Sequence, residues 1–286
     1  IMSIGYVGFG STIKDYDSPT RTLERRDTTT AYFPRAYIPG AVRAAITTNN
    51  PVLTLGNITV DGRDHTLSGS LVPQQGTLGV WTTGTYTRSG NSIIGGTDSV
   101  TRADVSPAKP ADPRVYEQNQ VWPGGYPSTP DAVLGGADFG YPEGFLKALA
   151  QSRIGGSQYV TNPSLLTTPF RGVTYVELPS GGNWQSMDIT GSGILVVHNS
   201  VKNAIMKNLN SGTFTGLMIV DDLIHFHGAT LIGAAVCLSP SPSEGNCIGN
   251  SNGSVLYSRA GIGKATGDVY YKWANGSVNS VIAWWE

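Results

Sequence analysis

Between Ile189 and Ser258 the apolar positions come in short bursts, each introduced by glycine: G-S-G-I-L-V-V, then G-T-F-T-G-L-M-I-V, then G-A-T-L-I-G-A-A-V-C-L, then G-S-V-L-Y-S. Each burst is brief and rich in β-branched residues, a pattern that predicts strands rather than helices. Ile194, Leu217, Ala235 and Val255 recur at a spacing of about 20 residues, which predicts the coils of a β-solenoid. One such coil cannot bury its apolar face alone, whereas stacked coils share a core. Ile194, Val196, Leu217, Ile219, Ile232 and Val236 are the predicted interior of that stack.

The rest of the chain fits around this section. Residues 1–13 and 20–32 each predict a strand, the second half-exposed because it is rich in threonine and charge. Ala41 to Ile46 predicts a short helical turn between the breakers Pro39-Gly40 and Asn49-Asn50-Pro51. Pro51 to His65 predicts one or two strands, with Asp61-Gly62 as a turn. Short strands follow over 77–86 and 92–96. From about 98 to 170 prolines break the pattern, and only P-E-G-F-L-K-A-L-A-Q-S-R, from Pro142 to Arg153, predicts a helix. Gly172 to Leu178 resumes the strands. Asp268–Ala274 and Ser277–Trp285 predict a closing hairpin about Asn275-Gly276. The expected fold is therefore mainly all-β: a β-solenoid or β-helix-like stack of short strands, with one short helix in a loop-rich insertion. Its sections are 1–97, 98–171 and 172–286, within one compact domain.

Composition sharpens this picture. Glycine supplies 37 of 286 residues, and charged residues only 14%, against a usual ~25%. Few charges among many small polar residues suit an extracellular β protein. The net charge of −1 provides no field to gather phosphates, which argues against nucleic acid. No apolar run approaches the ~20 residues of a membrane span. There is no signal peptide and no initiator methionine at position 1, so a mature or truncated product is expected. Cys237 and Cys247 lie ten positions apart across a Pro/Ser loop. One local disulfide is the preferred reading, two buried thiols the other; a disulfide implies an oxidising compartment.

A resemblance enters on a series of motifs: N-I-T-V-D-G-R-D-H at 57–65, G-V-W-T-T-G, G-S-G-I-L-V-V-H at 191–198, F-T-G-L-M-I-V, L-I-G-A-A-V, V-L-Y-S and the closing A-W-W-E. Together these resemble the C-terminal region of PilX-type, type IV pilus-associated secreted proteins, over roughly 1–97 and 172–286. In that family a pilin-like N-terminal helix precedes a β-rich ectodomain. This chain departs from the pattern in lacking the helix. The resemblance implies an exported ectodomain whose helix has been cut away or sits on a separate polypeptide.

Several clusters could carry chemistry. Asp61, Arg63, Asp64 and His65 form the densest polar group: two carboxylates and a histidine for acid/base work, or a turn whose aspartates cap amides and pair with Arg63. His225 and His227 would share one strand face and could bind a transition metal. Asp15, Asp17 and Asp27 lack the spacing of a calcium loop. Trp81, Trp122, Trp184, Trp273, Trp284 and Trp285 could serve as sugar platforms or as core edges. No cofactor, nucleophile-elbow or zinc motif is present. The expected function is a non-catalytic extracellular structural or adhesion subunit, associated with type IV pili or a similar cell-surface filament. Its partners would be other pilus or filament subunits, among them a pilin-like helix-bearing chain, with a glycan or surface ligand as a further partner. Ile1, Ile4, Tyr6, Phe9, Trp284 and Trp285 are the interface candidates, since strand-forming termini invite pairing with another chain. The alternative is a β-solenoid carbohydrate-active enzyme using Asp61 and Asp64, or a glycan-binding module.

Overall fold

The computed structural model describes residues 5–14, 22–31, 37–242, 248 and 252–275, and of 5–14, 22–31, 186–187 and 268–275 the backbone alone. Strands β1 (Gly5–Lys14) and β2 (Thr22–Ala31) form an antiparallel ribbon, with Gly5 opposite Ala31 and Lys14 opposite Thr22. Next come β3 (Ala44–Thr48), β4 (Val52–Thr54), β5 (Thr59–Asp61), β6 (Asp64–His65), β7 (Leu71–Val72) and β8 (Leu78–Thr82). Strands β9 (Tyr86–Arg88), β10 (Ile93–Thr97), β11 (Asp104–Ala108) and β12 (Tyr116–Glu117) complete the first half. Helices α1 (Pro130–Val133) and α2 (Phe145–Ser152) lead into β13 (Gln158–Val160), β14 (Val173–Glu177), β15 (Asn183–Asp188) and β16 (Gly191–His198). The chain continues through β17 (Ile205–Ser211), β18 (Thr213–Val220), β19 (Asp222–Ile224), β20 (Thr230–Cys237), β21 (Ser254–Tyr257) and α3 (Arg259–Asn275).

The fold is all-β, a stack of short strands whose main sheet is built by parallel pairing. From one end the rungs run β13, β14, β16, β18 and β20. Beyond β20 each rung is shared by two segments. The first half of β20 pairs with β21, Thr230 to Gly233 against Ser254 to Tyr257. Its second half pairs with β3, Ala235 to Cys237 against Ile46 to Thr48. The next rung is β5 beside β21 and β8 beside β3, and the last is β10 beside β5 and β12 beside β8. Strand β11 closes that end antiparallel to β10. The N-terminal segments thus continue the stack beyond its C-terminal half. A second face carries β15-β17-β19, also parallel, and the pair β4-β9.

Register corrects the spacing: Leu217 faces Ala234, one position before Ala235, and Val255 faces Leu231, four positions before Ala235. Ile194, Val196, Leu217, Ile219 and Val236 all join the main buried cluster. Ile232 is buried but stands apart from it. The alternation of half-buried strands is missing, because Ile194, Leu195, Val196 and Val197 are all fully buried. Strands covered on both faces read as continuous apolar runs. Here α3 lies across β16, β18 and β20, while α2 covers β13 and β14.

A column of glycines lets α3 approach. Gly193, Gly216 and Gly233 stand in register on β16, β18 and β20. Their φ angles are 123°, 141° and 156°, in a region that residues with a Cβ rarely enter. A Cβ at any of them would collide with the carbonyl oxygen of the glycine one rung before, Gly172, Gly193 or Gly216. Over Gly216 the nearest helix atom is the Ala265 Cβ, 3.1 Å from where that Cβ would sit.

Three local expectations fail. Ala41–Ile46 is not a helical turn: only Gly40-Ala41 turns, and Ala44 begins β3. Pairing with β20 and β8 overrides the local preference. Asp268–Ala274 is not a strand but the last part of α3, whose Ile262 and Ala265 are buried three positions apart; Ser277–Trp285 lies outside the described residues. The insertion holds α1 besides the expected helix. That helix, α2, starts at Phe145 rather than Pro142, and its first amides are capped from a distance: Asp131 accepts from Gly144 N and Leu146 N at 3.0 and 2.9 Å. Burial raises the Asp131 pKa against those hydrogen bonds.

Candidate functional site

The polar group at 61–65 follows the turn at the end of β5. Asp61 Oδ1 accepts from Arg63 N at 3.0 Å, and the guanidinium closes a two-pronged pair, Nε to Oδ1 at 3.0 Å and Nη2 to Oδ2 at 2.7 Å. His65 Nε2 lies 3.5 Å from Asp61 Oδ2, and its Nδ1 lies 3.1 Å from the Tyr257 carbonyl. Burial opposes the charge on Asp61, but hydrogen bonds from His65 and Arg63 outweigh it and hold the carboxyl below its usual value of 3.8. The stability Asp61 adds is therefore present above that value and lost as pH falls through the lowered one. Burial likewise opposes the charge on His65, and Asp61 outweighs it, so the imidazole titrates above 6.5. Asp64 points elsewhere, with Oδ1 accepting from Arg259 N at 2.8 Å at the start of α3. Both aspartates thus bind backbone amides, as the turn reading expects, though the amide that Asp64 caps is remote in sequence. A groove of about 880 Å³ runs beside them, lined among others by Asp64, His65, Ser68, Gln75, Arg259 and Lys264.

A second cluster forms at the corner after β16. His198 Nδ1 lies 2.6 Å from Asp221 Oδ1. The other Asp221 oxygen accepts from Asn199 N and Ala204 N at 2.9 and 3.1 Å, so this buried carboxylate holds the 199–204 loop. Glu177, in register with His198, accepts from Lys147 and Tyr159. Burial raises the Glu177 pKa, but these two bonds outweigh it and the net shift is downward. The row ties α2, β13, β14, β16 and β18 together.

A third group could not be assembled from spacing alone. Trp81 on β8 and Glu117 on β12 are in-register neighbours, and so share a face. Trp122 meets Trp81 edge-on, centroids 5.3 Å apart, and the Arg43 guanidinium lies 4.8 Å from the Trp122 ring centre. Tyr126 stacks behind Trp81 at 6.3 Å. Trp81, Glu117, Trp122 and Arg43 line a cleft of about 270 Å³, with Arg102 and Gln120 on its wall. The tryptophans were visible in the sequence as sugar platforms or core edges, but Arg43 and Glu117 carried no signal there.

Other expected site residues are placed as follows. Cys237 is a fully buried free thiol, its pKa pushed above the usual thiol value by burial and by Asp222 and Asp221. Its expected partner Cys247 lies outside the described residues. Tyr6 and Phe9 stand on β1 opposite Thr30 and Asp27. Ile1, Ile4, Trp284 and Trp285 lie outside the described residues, as do Asp15 and Asp17. His225 and His227 do not share a strand: β19 ends at Ile224, and His225 turns into the left-handed region at φ 56°. Their rings are 5.7 Å apart, and His225 Nδ1 lies 3.1 Å from Asn208 Oδ1. Among the described residues no group of three His, Cys, Asp or Glu could hold a metal ion, and no helix is long and apolar enough to cross a membrane.

No protein-family model, curated protein or solved structure matches the chain.

Proposed function

We propose that this chain is a non-catalytic structural or adhesion body of an extracellular, pilus-like surface filament. The observation that carries the reading is the β1–β2 ribbon. Its strands pair with each other and with no other described strand, so each has an outer edge that no described strand covers. A lone two-stranded ribbon is marginal in water, and open edges recruit further strands. A ribbon of this kind on a stiff solenoid suits assembly with a neighbouring subunit. The resemblance to PilX-type proteins points the same way. The polar clusters support the non-catalytic half, because Asp61, Asp64 and Asp221 each hold backbone amides of the fold.

The test is immunogold labelling of producing cells, with the full chain and with residues 5–31 deleted. Label along surface filaments is expected for the full chain, and loss of that label with an unchanged melting temperature for the deletion. Filaments labelled equally by both forms, or label confined to the cell interior, would overturn the proposal. So would release of reducing ends from polysaccharide that disappears when Asp61 and Asp64 are both changed to Asn.

A further inference from the structure

We infer that the cleft between β8, β12 and the 120–123 segment binds a saccharide unit. The inference deepens the adhesive half of the reading above by naming its ligand class and its site.

Recognition of a sugar ring needs donors and acceptors close together for vicinal hydroxyls, and an aromatic surface for the C–H face. The cleft supplies each from groups that the fold leaves uncommitted. The Glu117 side chain makes no hydrogen bond or ion pair with any described residue, although its neighbour in register is the buried Trp81. The Arg43 guanidinium lies over the Trp122 ring and donates to no described residue. Trp81 is 6% exposed, lines the cleft, and its indole N–H has no acceptor among the described residues. Glu117 is half-buried and Arg43 exposed, so water reaches both, and a cleft lined by a carboxylate, a guanidinium and an indole N–H that no described residue engages suits a hydroxyl-rich ligand that displaces that water. Gln120 donates to the Gln118 carbonyl through its amide nitrogen and keeps its oxygen for the cleft.

The surroundings fix the geometry. Trp81 is held by its edge contact with Trp122 and by Tyr126 behind it. Arg102 is tethered to the Gly76 carbonyl at 2.9 Å. Val121, 86% exposed, provides an apolar rim. A volume of about 270 Å³ falls below the ~300–1,000 Å³ of pockets for drug-sized ligands, which suits one ring of a longer glycan with the remainder in solvent. The two guanidiniums outnumber the single carboxylate, so a uronate unit is held more tightly than a neutral hexose.

The experiment probes the full chain with immobilised oligosaccharides built from hexose, N-acetylhexosamine and uronate units, then titrates the retained ones by tryptophan fluorescence. Retention of at least one class is expected, with uronates bound more tightly than hexoses and more sensitive to salt. Glu117→Gln and Arg43→Ala should each weaken binding about tenfold or more, about 1.4 kcal/mol, with melting temperature unchanged. If Glu117→Gln melts earlier, Arg43→Ala decides, since that side chain lies at the surface. An array with no retained glycan, or binding equal in the wild type and Arg43→Ala, would overturn the inference. A blank array leaves the filament labelling untouched, so failure here and failure of the assembly reading are distinguishable.

Discussion

At the scale of single residues, the glycine column decides more than any catalytic-looking side chain. The bursts G-S-G-I, F-T-G-L and L-I-G-A show glycine inside strands, where it ordinarily weakens a strand or marks a close approach. The sequence makes the glycines visible, but not their alignment, which depends on unequal coil lengths bringing Gly193, Gly216 and Gly233 into register. Gly216→Ala must place its Cβ against the Gly193 carbonyl while holding φ near 141°. Strain and overpacking together should cost about 3 kcal/mol or more. Gly40→Ala is the control, since nothing lies within 4 Å of its Cβ position; it should be neutral or mildly stabilising. Urea unfolding of both variants checks the pair, and equal midpoints would mean the column tolerates side chains.

At the scale of elements, α3 is where sequence reasoning went furthest astray. V-Y-Y-K-W is rich in β-branched and aromatic residues and looks like a strand, and Gly261, Gly263 and Gly267 weaken the helical alternative. Packing decides instead: Ala265 presents only a methyl group to Gly216, and a Cβ at Gly261 would come 2.8 Å from the Ile232 carbonyl oxygen, so the helix sits close to the sheet. Its start is also specified. Ser258 Oγ accepts from Gly261 N at 3.0 Å and donates to the His65 carbonyl at 2.6 Å, and Asp64 caps Arg259 N. The serine before R-A-G is an ordinary N-cap signal, hidden here because V-L-Y-S reads as the end of a strand. Ser258→Ala should cost about 1–2 kcal/mol and Asp64→Ala about 1 kcal/mol, while Asp64→Asn should cost only a few tenths because Asn also caps. Chemical denaturation measures all three. Equal losses for Asp64→Ala and Asp64→Asn would show that charge, not capping, is what Asp64 supplies.

At the scale of the whole molecule, strands, coils and shared core were legible, whereas the order of the coils was not. Local periodicity identifies a coil, but nothing in it says that Ala44–Thr48 pairs with Ala235–Cys237 rather than with the next strand in sequence. The connection must therefore span the stack. Residues 118–157 pass from the rung of β12 to that of β13, seven strand spacings or about 34 Å at ~4.8 Å each, which explains why a long proline-rich segment with little strand of its own is needed. The rung formed jointly by β21 and β3 makes the two halves one cooperative unit, unlike a simple array in which each repeat contacts only its sequence neighbours. The test uses Trp81 as reporter for the N-terminal half and Trp184 for the C-terminal half, each in a variant lacking the other tryptophans. Both should report one unfolding midpoint. Ile46, fully buried and facing Ala235 and Val80 across the junction, should couple them. Ile46→Ala should cost about 2–5 kcal/mol through lost burial and a cavity, and should lower both midpoints by the same amount. A shift seen only by Trp81, with the Trp184 transition unmoved, would mean that the C-terminal coils stand alone and that β3 merely docks on a finished stack.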